Sequence, residues 1–106
     1  MVDMEQVNES LPPSILRVVQ YAIDTLQPRR IYLFGSRARG DAREQSDFDL
    51  AFDLDEESRW KWLRFRADVD ELPLSLRPID YVALHDAPGQ LRDEILRTGK
   101  VIYGRE

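Results

Sequence analysis

The chain has 106 residues, 42% of them hydrophobic and 33% charged, which suits one globular domain spanning 1–106 with a modest core and excludes a disordered or low-complexity class. It has no cysteine, so disulfides, thiolate nucleophiles and Cys-ligated zinc are excluded, and a reducing cytoplasm is the expected setting. A net charge of −5 argues against direct nucleic-acid binding, the N-terminus carries no signal pattern, and no apolar run approaches the roughly 18 residues that a membrane helix needs.

Ile15, Val18, Val19, Ala22, Ile23 and Leu26 recur at helical spacing and predict an amphipathic helix over 13–26, opened by Pro12 and Pro13 and closed before Pro28. Residues 31–34, Ile-Tyr-Leu-Phe, are wholly apolar and end at Gly35, which reads as a buried strand. A polar stretch over 36–46, with bends at Gly35 and Gly40, predicts a short helix or turn and then a loop. From Asp47 to Asp53 the pattern alternates, with Phe48, Leu50 and Phe52 on one side and Asp47, Asp49, Ala51 and Asp53 on the other. A helix is expected over 56–72, ended by Pro73, and a third strand from Leu76 to Leu84 with Asp80 inside it. Asp86 and Pro88 suit the start of a last helix that carries Leu91 and Ile95 and ends at Gly99; Val101–Tyr103 reads as a closing strand. The order α-β-α-β-α-β-α-β predicts an α/β or α+β domain with a small mixed sheet, helices mainly on one face, and the acidic side of the second strand facing a cleft.

The chemistry concentrates between Gly35 and Asp49. A strand that ends in Gly-Ser and turns into a helix offers backbone N–H groups at a positive helix end, an anion site to which the Ser36 hydroxyl and Arg37 or Arg39 can add. Asp47 and Asp49 share one face of a strand, about 6.6 Å apart along it, and repel each other when both are ionised. A divalent cation relieves that repulsion, and Asp80 on a neighbouring strand can supply a third carboxylate. Three acids suit two magnesium ions roughly 3.5–4 Å apart, the pair that clamps an in-line phosphoryl displacement.

Gly35-Ser36, ten intervening residues and Asp47-Phe48-Asp49 resemble the signature of the polymerase-β-like nucleotidyltransferase superfamily. The form Gly35-Ser36-Arg37-Ala38-Arg39-Gly40 and the short chain are similar to its minimal nucleotidyltransferases, antitoxins that pair with HEPN-domain toxins; the resemblance covers about 13–103. It implies ATP as substrate with two Mg2+ ions, the outer phosphates on Gly35 and Ser36. Asp47 and Asp49 would hold the ions, and Asp80 would bind one of them and help deprotonate an acceptor. It further implies transfer of AMP to a tyrosine hydroxyl of the HEPN toxin. Two other readings stay open: a small-molecule nucleotidyltransferase of the aminoglycoside type, for which the chain has little room, and a non-catalytic binding antitoxin, against which Ser36, Asp47 and Asp49 argue.

Other features carry blander expectations. Asp53 and Asp55 read as a solvated acidic edge, and His85 as structural or exposed. Arg29, Arg30, Arg37, Arg39 and Arg43 suit a polyphosphate, although mixed surface charge explains them as well. Along 56–72, Trp62, Phe65, Val69 and Leu72 gather on one side at about 100° per residue, while Trp60, Leu63 and Ala67 gather almost opposite. One side can face the sheet; the other is either covered by a loop or a face for a partner protein.

Overall fold

The computed structural model describes residues 11–40, 47–71 and 78–105. Helix α1 runs Pro13–Leu26, and all six of its predicted apolar positions are buried. It ends where Gln27 adopts φ 49°, a left-handed residue whose N–H donates to the Ile23 carbonyl at 3.2 Å, ahead of Pro28. Strand β1 (Arg30–Phe34) follows, then the single turn α2 (Ser36–Arg39), strand β2 (Phe48–Asp53), helix α3 (Trp62–Glu71), strand β3 (Ile79–Ala83), helix α4 (Gly89–Thr98) and strand β4 (Lys100–Gly104).

The four strands form one mixed sheet in the order β3-β2-β1-β4. β1 is antiparallel to both β2 and β4, whereas β2 and β3 are parallel and joined through α3, the long crossover that parallel neighbours need. One face buries α1 and α3 against Ile31, Leu33, Leu50 and Phe52, with Phe65 and Ile15 at its centre. Tyr21 Oη donates to Asp68 Oδ2 at 3.0 Å and ties α1 to α3. On the opposite face, among the described residues, Leu84 and Ile95 close over Tyr32, Phe34 and Ala51. That leaves the mixed sheet with its helices mainly on one face, as the sequence predicts.

Several boundaries differ from the expectation. The helix over 56–72 begins as a 3-10 segment, Glu56–Lys61, and becomes α-helical only at Trp62; position 72 lies outside the described residues. The third strand runs Ile79–Ala83 and stops before Leu84, because Leu84–Asp86 tighten into a 3-10 turn; the expected start at 76–77 lies outside the described residues. Asp86 does not cap α4; Pro88 occupies the cap position without a side-chain bond, and Pro88 carbonyl accepts from Arg92 N–H at 2.9 Å. Gly99 ends α4 in an extended conformation, not a left-handed one. A Cβ there would lie 2.5 Å from the Ile95 carbonyl oxygen, so the glycine answers a close backbone approach.

Candidate nucleotide-transfer site

The site grows from the end of β1. Gly35 adopts φ 76°, ψ −154°, a combination essentially confined to glycine. Its carbonyl accepts from the N–H groups of Ala38 and Arg39, each at 3.1 Å, which closes the turn of α2 behind Ser36. The same residue fits against the second strand: a Cβ on Gly35 would collide with Asp49 Oδ2. Glycine therefore serves two demands at once, an unusual backbone and a carboxylate packed onto it. Phe34 and Asp49 are paired across β1 and β2, which sets that contact.

Asp49 in turn pairs with Asp80 across the parallel β2–β3 ladder. Paired residues of neighbouring strands share a face, so both carboxylates rise on the side of the sheet opposite α1 and α3. The two carboxyls lie within hydrogen-bonding reach, a bond that Asp49 donates when it is protonated. Burial, the bond to Asp80 and the charges of Asp80 and Asp47 together push Asp49 up to about 6 from its ordinary 3.8, against the opposing charge of Arg39. Asp80 is the second residue of its strand, not its midpoint, which is why it meets Asp49 at the open end of the sheet. Asp47 stands exposed just before β2; its charge reaches Asp49.

The two arginines separate. The Arg37 guanidinium stacks over the Phe48 ring at 4.2 Å from its centroid and is half-buried. Arg39 is exposed and acts on Asp49 electrostatically. Arg39 is therefore placed toward the acids, and Arg37 braces α2 against the residue between Asp47 and Asp49. No local sequence signal marks that brace, since its halves are eleven residues apart. We expect Arg37→Gln to lower the turnover of nucleotide transfer while leaving the KM for ATP within about twofold, and Arg39→Gln to raise that KM. Steady-state kinetics on both variants check this; the reverse pattern would place Arg37 on the nucleotide.

The remaining predicted charges are distributed elsewhere. Arg29 and Arg30 lie at the far end of β1, and Arg29 Nε stands 3.7 Å from Asp55. Asp55 is no idle edge acid: Arg105 Nη2 reaches it at 2.5 Å, and Arg105 N–H donates to the Arg29 carbonyl at 2.9 Å, a clasp closing β4 onto β1. Asp53 is half-buried, His85 is mostly buried beside Asp86, and Arg43 lies outside the described residues.

Among the described residues no three acids or histidines gather at metal-ligand spacing. What gathers is a pair, Asp49 and Asp80, within hydrogen-bonding reach of each other, where a cation could take the place of the bonding proton, with Asp47 close enough to add charge. An all-carboxylate set with a suppressed negative charge fits a hard, oxygen-seeking divalent ion such as magnesium. Among the described residues no helix is long and apolar enough to cross a membrane.

Comparison with known proteins identifies the family. The profile of the family described as "Polymerase beta, Nucleotidyltransferase" matches residues 17–106. Protein adenylyltransferase MntA of Shewanella oneidensis is 30% identical over 97% of this chain and 70% of its own length. A crystal structure of a toxin–antitoxin with AMP-PNP matches at TM-score 0.55 and 28% identity, over 88% of this chain and 73% of the matched one. A solved structure provisionally described as a minimal nucleotidyltransferase matches at TM-score 0.56 and 25% identity, over 87% and 97%.

Proposed function

This chain belongs to the polymerase-β nucleotidyltransferase family, and from that premise we propose that it is an antitoxin that transfers AMP from ATP to a tyrosine hydroxyl of a HEPN-domain toxin. The observation that carries the reading is the contact of the Gly35 turn with Asp49, itself bonded to Asp80: a nucleotide-binding turn and a pair of acids held as one unit. The similarity to an adenylyltransferase and to a toxin–antitoxin with an ATP analogue supports the acceptor and the nucleotide.

On this reading one nucleotidyltransferase domain acts in the cytoplasm. Gly35 and Ser36 seat the outer phosphates, with the Ser36 hydroxyl donating and Arg39 offsetting charge. Asp49 and Asp80, joined by Asp47, would hold Mg2+, which when bound would neutralise phosphate charge that the bare carboxylates repel. Asp80, the more exposed of the bonded pair, takes the proton of the acceptor hydroxyl. The hydroxyl oxygen bonds to the α-phosphorus, the bond from that phosphorus to the α–β bridging oxygen breaks, and pyrophosphate leaves. Incubation of the chain with ATP, magnesium and a HEPN-domain protein, read by intact mass, should add one or more AMP units to that protein. An unmodified stoichiometric complex would instead make the chain a binding antitoxin.

A second expectation follows from the acids. A triphosphate and a carboxylate pair repel each other unless cations lie between them, so ATP and Mg2+ should bind together. A ligand of the folded state raises its melting temperature. Thermal shifts with ATP alone and magnesium alone should each be small, and the shift with both should exceed their sum; additive shifts would place the two ligands at separate sites.

A further inference from the structure

We propose that the face carrying Trp60 and Leu63, flanked by Lys61 and Arg64, docks an acidic surface of the protein that this chain modifies. This rests on the proposed activity for the identity of the partner. Trp60 is 74% exposed and Leu63 80%, although Trp62 and Phe65 of the same segment already fill the core. The segment therefore has a second apolar side that the fold does not use. Residues 58–67 carry four cations and no acid, in a chain whose net charge is −5. Arg66 is turned away, stacked at 4.9 Å over Tyr81 and 3.5 Å from Asp70, and Arg59 lines a separate pocket with Leu84, His85 and Asp93, which leaves Lys61 and Arg64 beside the apolar pair. Of these, Lys61 Nζ lies 5.8 Å from the Trp60 ring, and Arg64 is 82% exposed in an i,i+4 pair with Asp68 that solvent weakens.

A cavity of about 350 Å3 opens beside Trp60, between α1 and α3, lined by Thr25 and Phe65 as well as by Lys61, Arg64 and Asp68. It has room for an apolar side chain, with the cations at its rim for flanking carboxylates. This combination of aromatic anchor, apolar socket and charged rim is that of a protein interface. Single-stranded nucleic acid would also stack on an exposed Trp. Leu63 offers a base nothing, however, and a phosphate backbone would have to run past Glu56, Glu57 and Asp68, whereas a protein surface can confine its carboxylates to Lys61 and Arg64. A second copy docked here by a twofold axis would set its own cations against these.

The face lies on the α1–α3 side of the sheet, whereas Asp49 and Asp80 rise on the other. Docking here should govern the affinity for the protein substrate and leave the chemistry alone. The test takes the full chain and a purified HEPN-domain protein, with three forms: wild type, Trp60→Ala/Leu63→Ala, and Lys61→Glu/Arg64→Glu. Dissociation constants, AMP transfer kinetics and melting temperatures are measured on each. We expect the apolar variant to weaken binding and raise the KM for the protein at least tenfold, at unchanged turnover, KM for ATP and melting temperature. Charge reversal should weaken binding several-fold, by a margin that shrinks in high salt. Affinity within twofold of wild type in both variants, tighter binding after charge reversal, or loss only of self-association or RNA binding would overturn the docking surface. Wild type that binds the HEPN protein through this face but transfers no AMP would leave the surface standing and overturn the activity.

Discussion

Asp49→Asn should abolish AMP transfer and, near neutral pH, make the protein more stable. The loss of activity should be about a thousandfold or more, since an amide removes the charge that holds the cation, and such sites contribute several kcal/mol to the transition state. The gain in stability comes from the same carboxylate. Burial, Asp80 and Asp47 raise it to about 6, above its ordinary 3.8, so in that window the folded form binds more protons than the unfolded one. Its favourable contribution is complete below the unfolded value and is lost as pH rises through about 6. At pH 7 wild type therefore carries a charge that the fold disfavours, by about 1–2 kcal/mol once solvent screening of a part-exposed group is allowed for. An asparagine donates to Asp80 at every pH. Metal-free unfolding curves between pH 4 and 8 should show wild type losing stability with rising pH and Asp49→Asn losing less. Asp47→Asn should also lose transfer, with a smaller stability gain, because only its charge reaches Asp49. Full transfer by Asp49→Asn would remove the acid pair from the chemistry.

The parts of this site that could be read in the sequence are those set by local rules. A glycine after an apolar run, and two aspartates in a strict alternation, announce a turn and a one-faced strand whatever surrounds them. The partnership of Asp49 with Asp80 is different. It depends on which strands are neighbours and in what register, and no period along the chain encodes that; a one-residue slip of β3 would have put Ile79 or Tyr81 opposite Asp49. Arg37 against Phe48 and Arg105 against Asp55 are of the same kind, side chains that meet only after the sheet has formed. The errors at 56–61 and 84–86 have a local cause instead. Both stretches turn in 3-10 geometry, and each holds a single apolar residue, Trp60 or Leu84, too few to set a period that separates it from the adjoining helix or strand. Asp55 and Asp53 looked alike in sequence, yet only Asp55 meets two arginines.

The opposed tryptophans provide the second large effect. Trp62→Ala should cost about 3–5 kcal/mol, the usual result of deleting a buried aromatic side chain, because the cavity left behind cannot close around rigid neighbours. Those neighbours are specific. Trp62 is 7% exposed, and its ring lies 5.5 Å from both Phe65 and Phe52, which also contact each other at 5.6 Å. Phe52 is fully buried near the C-terminal end of β2, so a void beside it loosens the strand that carries Asp49 near its other end. Melting should fall by well over 10 °C, at about 4–8 °C per kcal/mol for a chain of this size. Trp60→Ala offers the contrast within one segment: at 74% exposure it loses little contact, and its stability should stay within about 0.5 kcal/mol of wild type. Chemical denaturation of both variants decides between the two sides of the segment. Equal destabilisation by the two substitutions would show that Trp60 is also packed against the fold, and a larger loss from Trp60→Ala would reverse the assignment of core and surface.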